Sequence, residues 1–465
     1  MTDATATDER AGAQPAVGDG LIGTLDGGDG LRAIAALMVF LGHVFVNADP
    51  GEAFESYGWA KEVVGRLDLG LGLFFALSGY FIARPFVRSY ILGTQRPSVP
   101  RFARNRALRI VPAFYVIAAL VLLRFGLDGA IGPTPDNPSG TAPPSEWWQV
   151  VSIFTFTQSY TGGSATLPYG QAWSLNAEMA FYALLPLAAL LGHRLGGRVR
   201  TTRARAYAAL AVIGGAGLVS IYLRQGGGSF AALTSPPLIF YAFVPGIMLA
   251  AAEPLAAPLL RGNPRRARRL AWALVALVAL SWAAYASWDY AVQTTALHGA
   301  LGRRALMAVI CAGAALAAVI VWQLGTERAP RWLTNRPIRY LGARSYAFYL
   351  LHVWIIFEVI DLVGADAGTT TLVIAMIALG LPATLALAAL SWRFVERPFL
   401  ERRVRWALGE RRPGPGAPAP APAAAATAIA TAGPAGHTTS GPPAGSDPGA
   451  SEIVAVEPPT ERSLP

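Results

Sequence analysis

Ten long apolar segments, separated by polar loops, dominate the pattern of this 465-residue chain. They fall near residues 31–46, 67–87, 108–125, 173–191, 206–223, 236–252, 270–288, 304–324, 340–363 and 371–392. A helix needs about 20 mostly apolar residues to cross lipid, where every backbone group must be satisfied within the segment. The pattern therefore predicts an all-α, polytopic membrane protein with ten transmembrane helices.

One further apolar piece, Trp147–Phe156, does not fit that count. With about ten residues it is too short for a comfortable crossing. An eleventh span here would also place every later loop on the other side of the membrane. We expect a re-entrant or interfacial segment, which is tolerated where it lines a protein cavity.

The composition supports a membrane protein, since 53% of the residues are hydrophobic and only 14% are charged. Soluble domains carry about 25% charged residues. The net charge of +10 would otherwise suggest nucleic acid, but the basic residues lie in clusters between apolar segments. The single cysteine, Cys311, excludes an intramolecular disulfide and a cysteine-rich metal site. We expect no metal site and no nucleic-acid partner.

The arginines predict the orientation, because cytoplasmic loops are enriched in Arg and Lys. With ten spans, most arginines share one side, in the loops at 84–109, 194–205, 261–269 and 328–339 and after residue 393. We therefore expect a multi-pass plasma-membrane protein with cytoplasmic N- and C-termini. Five basic residues near the outer side break the rule: Lys61, Arg66, Arg224, Arg303 and Arg304.

Four regions follow from the composition along the chain. Residues 1–29 are expected to be a disordered leader, and 30–400 form the membrane domain. A basic juxtamembrane stretch covers 401–412. The Pro/Ala-rich residues 413–465 have too few large apolar side chains to pack and are expected to be a disordered tail.

Arg32 and His43 interrupt the first apolar segment. They are eleven residues apart, about three helical turns, so they share a face and lie roughly 16 Å apart along the axis. Ionisable groups inside a span are costly and are functional candidates by default. The alternative is a snorkelling arginine and a histidine that only packs.

Further candidates lie in the second and third segments. Ser78 and Gly79, within FFALSGYF, allow a backbone or a slender substrate to approach closely, or simply pack helices. Arg104, Arg106 and Arg109 open the third segment. Their guanidiniums suit bidentate contacts with phosphates, although anionic lipid headgroups would attract them as well.

The fourth and ninth segments also carry polar groups. Trp173 and Ser174 precede Glu178, and the serine and the carboxylate are four residues apart, on one helix face. A carboxylate inside a span must be paired or protonated, so Glu178 is a partner candidate for His43. His352 is a second base, an acceptor ligand or, most simply, a structural hydrogen-bonding residue.

Six motifs occur in order: GLRAIAALMVFLGH, FFALSGYF, RNRALRIVP, WSLNAE, SYAFYLLH and RFVERP. Together they resemble the acyltransferase 3 family of integral membrane acyltransferases. The resemblance implies a ten-helix core and transfer of an acyl group from acyl-coenzyme A to a hydroxyl. It also implies that His43 is the essential base and that Arg32, Arg104 and Arg106 are functional.

A mechanism combines both lines of reasoning. We expect Arg32, Arg104, Arg106 and Arg109 to hold the nucleotide end of acyl-coenzyme A, and neutral His43 to take the proton of the acceptor hydroxyl. Glu178 orients the imidazole or stabilises its protonated form. We assign the remaining candidates to substrate binding: Ser78, Trp173, Ser174 and His352. Acylation of Ser78 is an alternative, but direct transfer needs fewer parts.

The sequence does not identify the molecule that accepts the acyl group. A carbohydrate or glycan is expected first, and a small glycosylated metabolite such as a macrolide second, with acetyl as the expected acyl group. The resemblance alone supports these choices. A transporter also fits ten helices with polar residues near the midplane, although the two halves show no repeat. A catalytically idle lipid-binding protein is the remaining class.

Overall fold

A computed structural model describes residues 23–49, 55–128, 146–161, 170–196, 199–286 and 297–402. All regular structure in these ranges is helical. The long helices are α1 Gly28–Ala48, α2 Leu69–Leu92, α3 Val99–Asp128, α4 Trp173–Leu195, α5 Thr202–Arg224, α6 Val244–Leu260, α7 Pro264–Ala286, α8 Leu297–Thr326, α9 Arg336–Val363 and α10 Thr369–Arg402.

The ten predicted apolar segments correspond to these ten helices. Across the described ranges, nine helical stretches are long and apolar enough to cross a membrane. Pro236–Ala242 meets α6 at 53°, and this bent pair brings the count to ten when it is taken as one span. Pro245 lies in the first turn of α6, where a residue without an N–H group is tolerated. The protein is therefore a multi-pass membrane protein.

The extra apolar piece forms a short helix, Trp147–Phe154. Its eight residues rise only about 12 Å, too little to cross a bilayer. The helix packs against α3, where the Tyr115 hydroxyl donates to the carbonyl of Phe154 at 2.7 Å and Phe156 stacks on Phe114 at 4.4 Å. This agrees with excluding an eleventh span, while the re-entrant position stays a prediction.

Helix α2 is the centre of the packing and contacts α1, α4, α6 and α8. Two glycines bring α2 and α6 together. A Cβ atom on Gly246 would lie 1.9 Å from the carbonyl oxygen of Ala76, and one on Gly79 would lie 2.2 Å from that of Phe243. The sequence prediction of a close backbone approach at Ser78–Gly79 is confirmed at Gly79.

Helices α1 and α2 run antiparallel, since Gly28 lies against Phe81 and Gly70 lies against Met38, and they define two ends of the bundle. We call the end where α1 starts and α2 finishes the arginine end, and the other the opposite end. Near the arginine end, the buried carboxylate of Glu253 on α6 accepts hydrogen bonds from Arg84 at 3.0 and 3.1 Å, Arg88 at 2.7 Å and Tyr80 at 3.3 Å. This cluster fixes the relative position of α2 and α6.

Some predictions fall outside the described residues. They concern the tail at 413–465, nearly all of the basic stretch at 401–412 and most of the leader at 1–29. The first helix begins at Gly28, close to the expected start of the membrane domain.

Candidate active site

A narrow slot of about 140 Å³ opens between α1, α2, α3, α4 and α9. Its lining on α2 extends from Leu71 to Ile82, a rise of about 16 Å. Six of the predicted site residues line it: Arg32, Ser78, Arg106, Arg109, Ser174 and Glu178. Three separate predicted groups, the arginines, the serines and the carboxylate, thus share one cavity.

Arginines from two helices meet at one end of the slot. Arg106 and Arg109 on α3 are three residues apart and therefore share a helix face. Arg32 on α1 pairs with Asp29 at 2.8 Å and lies over the Phe81 ring at 4.7 Å. The buried Nε of Arg106 makes no hydrogen bond to any part of the chain that the structure describes. The slot therefore offers a guanidinium donor to an anionic ligand.

Arg104 does not line the slot, in contrast to the sequence-based expectation. It precedes Arg106 by two residues, and side chains two apart on a helix point to different faces. The expected Arg104/Arg106 clamp is therefore not formed within this cavity.

Glu178 accepts a hydrogen bond from the Ser78 hydroxyl at 2.6 Å and another from the Tyr182 hydroxyl. These contacts join α4 to α2 in the slot wall. The expected contact of Glu178 with His43 is not observed, because the imidazole of His43 faces α9. The Tyr182 contact was missed from the sequence, although its spacing of four residues from Glu178 was visible.

The partner of His43 is His352. Nδ1 of His43 lies 2.9 Å from the carbonyl oxygen of Val39 and 3.3 Å from Nε2 of His352. Nδ1 of His352 lies 2.6 Å from the carbonyl oxygen of Tyr349. A carbonyl only accepts, so both Nδ1 atoms carry hydrogen in the neutral rings.

This arrangement fixes the role of each ring nitrogen. With its hydrogen on Nδ1, neutral His43 has its lone pair on Nε2, which makes no hydrogen bond to the described residues. If Nε2 of His43 takes a proton, two acceptors already hold the Nδ1–H of the imidazolium. The geometry thus leaves Nε2 of His43 as the ring nitrogen that can accept a proton, while His352 contacts Nδ1.

Neither histidine lines the slot, but Tyr349 connects them to its far end. The Tyr349 hydroxyl shares a 2.8 Å hydrogen bond with Ser174 and donates to the carbonyl of Gln171 at 2.7 Å. The ring of His352 lies 5.5 Å from that of Tyr349. His352 is 1% exposed, whereas His43 is half-buried.

Trp173 lines a different cavity, of about 300 Å³, at the opposite end of the bundle. Its ring lies 6.0 Å from that of Phe75. Phe75 and Leu71 border both cavities, so these two side chains form the partition between them.

The slot can hold an anion at one end, order hydroxyl groups along its length and move a proton near the other end. Among the described residues, no group of three or more His, Cys, Asp or Glu side chains is placed to hold a metal ion.

Comparisons with known proteins show which family the chain belongs to. A family model described as an acyltransferase domain matches residues 26–393. The peptidoglycan O-acetyltransferase OatA of Listeria monocytogenes is 24% identical over 383 residues, which cover 80% of this chain and 55% of that protein. The O-acetyltransferase OatA of Staphylococcus aureus is 30% identical over 166 residues, covering 35% and 24% respectively.

The chain spans about half the length of the relatives that it matches along most of its own length. No solved structure matches it significantly. The family model covers the slot, both histidines and all three arginines of the slot. The chain therefore belongs to the acyltransferase 3 family.

Proposed function

We propose that the protein is a membrane-embedded O-acyltransferase. It moves an acyl group from acyl-coenzyme A to a hydroxyl of a glycan, and the acyl group is acetyl. One observation carries this proposal. A single slot has three guanidiniums at one end, and a paired histidine base adjoins the other. The named activities of the relatives, O-acetylation and in one case of peptidoglycan, support the acetyl group and the glycan.

The donor enters from the arginine end. Coenzyme A is cytoplasmic, and the arginine-rich loops belong on the cytoplasmic side by the charge rule. Its phosphates bind Arg32, Arg106 and Arg109, since planar guanidiniums suit phosphate oxygens. The thin pantetheine arm follows the slot for about 16 Å and brings the thioester close to Tyr349.

The chemistry is a direct acyl transfer. Nε2 of His43 accepts the proton of the acceptor hydroxyl while its oxygen attacks the thioester carbonyl. The C–S bond breaks, and the coenzyme A sulfur leaves with the proton that His43 returns. His352 and the Val39 carbonyl hold the Nδ1–H of the imidazolium throughout. A general base of this kind contributes about 10²- to 10⁴-fold in rate.

Glu178 has a positioning role in this mechanism, because it holds the hydroxyls of Ser78 and Tyr182 in the slot wall. The same contact is one that a serine nucleophile would use, with the carboxylate as its base. Direct transfer by His43 is favoured, since it requires one acyl transfer instead of two.

A transfer assay tests the proposal. The purified full chain, in lipid nanodiscs, is given acetyl-coenzyme A labelled in its acetyl group, together with glycan oligomers or a macrolide glycoside. We expect release of the free thiol and label in the glycan, with His43→Gln reducing both at least about 100-fold. His193→Gln is the matched control, because His193 contacts Ser89 outside the slot. A chain that neither binds acetyl-coenzyme A nor releases thiol, as expected of a transporter, contradicts the proposal.

A further inference from the structure

The cavity at the opposite end of the bundle carries chemistry of its own. It combines three charged side chains with four aromatic ones: Asp68, Arg224, Arg304, Phe75, Trp173, Tyr241 and Tyr285. They come from five helices and the segment before α6, so the fold assembles the cavity from distant parts of the chain. Its volume of about 300 Å³ is at the lower end of the range for small-molecule sites, roughly 300–1,000 Å³.

Arginines that break the charge rule are gathered there. Arg224 and Arg304 line the cavity. Arg66 lies directly behind it, completely buried, with its Nε 2.8 Å from the carbonyl of Tyr285 and its guanidinium 4.6 Å from that ring. Arginine on the outer side of a span opposes the usual charge distribution, so its clustering at one cavity indicates a ligand.

We propose that this cavity binds one ring of the saccharide acceptor, an inference that rests on the proposed function. Aromatic faces pack on the C–H faces of a sugar ring, and guanidinium and carboxylate groups bond to its hydroxyls. Arg304 pairs with Asp68, while Arg224 lies 5.4 Å over the ring of Tyr241. The lining therefore has one guanidinium in excess of its carboxylates, which favours a sugar that bears an acidic group.

The position of the cavity explains how two substrates meet. Leu71 and Phe75 separate it from the far end of the donor slot. A hydroxyl of the bound ring that passes this partition arrives beside Tyr349, next to the histidine pair. The donor thus enters from the arginine end and the acceptor enters from the opposite end. Helix α2 lines both routes.

Kinetics of cavity variants test this inference. Arg304→Gln and Arg224→Gln are compared with Arg303→Gln, a control on the same helix whose exposed side chain does not line the cavity. The probes are chitotetraose, which is neutral, and an oligomer of alternating N-acetylglucosamine and N-acetylmuramic acid. We expect both cavity variants to raise KM for the acidic oligomer at least tenfold, with KM for acetyl-coenzyme A unchanged.

The outcomes separate the two proposals. Equal acceptor KM values in all three variants, with an active wild type, overturn the saccharide cavity and leave the acyltransferase intact. If the wild type transfers no acetyl group, the proposed function fails, and calorimetric binding of the acidic oligomer then decides the cavity. Loss of that binding in Arg304→Gln but not in Arg303→Gln supports it. Thermal unfolding of each variant excludes loss of the fold, and Arg224→Gln replaces Arg304→Gln if the latter unfolds.

Discussion

His43 and His352 are 309 residues apart in the chain, yet their rings lie edge to face with Nδ1 of His43 3.3 Å from Nε2 of His352. His352 therefore occupies the place beside His43 that the sequence assigned to Glu178. The group that accepts the hydrogen bond from Nδ1–H of His43 is therefore a neutral imidazole nitrogen instead of a carboxylate. Such a pair orients the base without adding a second formal charge inside the bundle.

Removing the acceptor nitrogen of His352 should slow the chemical step. For His352→Phe we expect kcat to fall about ten- to a thousandfold, because the His43 imidazolium loses one of its two acceptors. KM for both substrates should change little, and His352→Asn, which keeps an acceptor oxygen, should recover part of kcat. Steady-state kinetics measure both parameters. A wild-type kcat in His352→Phe contradicts the assigned role.

Removing a guanidinium from the slot should weaken donor binding. A hydrogen bond to a charged group contributes about 1.5–3 kcal/mol, so Arg106→Gln should raise KM for acetyl-coenzyme A about 10- to 100-fold. Arg101→Gln is the control, since Arg101 is exposed on the same helix and does not line the slot. Similar donor KM values for the two variants would remove Arg106 from the donor site.

Ser78→Ala distinguishes direct transfer from an acylated serine. Under direct transfer we expect the variant to keep a measurable rate, lowered at most about 10- to 100-fold by loss of one hydrogen bond to the Glu178 carboxylate. Intact-mass measurement of the wild type mixed with acetyl-coenzyme A alone should show no added acetyl group. A stable adduct on Ser78, with complete loss of transfer in Ser78→Ala, would establish the two-step route instead.

The Glu253 cluster makes a prediction about stability. Glu253→Gln leaves the guanidiniums of Arg84 and Arg88 without their buried counter-charge. Breaking a buried ion pair in this way costs about 3–5 kcal/mol, so the unfolding temperature should fall clearly. Glu401→Gln is the control, because its pair with Arg397 is 46–55% exposed and is worth less than about 1 kcal/mol. Thermal unfolding in the same nanodiscs compares them, and equal transitions would mean that the cluster is dispensable.

The helical spacing of the arginines predicts which of them line the slot, and the motifs alone do not. Arg106 and Arg109 have the spacing that places two side chains on one face, and both line the slot. Arg104, two residues from Arg106, has the spacing that does not, and it is absent from the slot. The basic residues that broke the charge rule were visible as well, but their distance along the chain concealed their clustering.

The sequence by itself determined the class of fold, the ten helical segments and the presence of Arg32 and His43 on one helix. Lipid obliges each segment to satisfy its backbone internally, so these features depend on neighbouring residues only. The tertiary structure decided which side chains meet: His43 with His352, Ser78 with Glu178, and Arg304 with Asp68. Such contacts depend on how helices pack and rotate against one another, and glycines such as Gly79 and Gly246 control that packing from both sides of an interface.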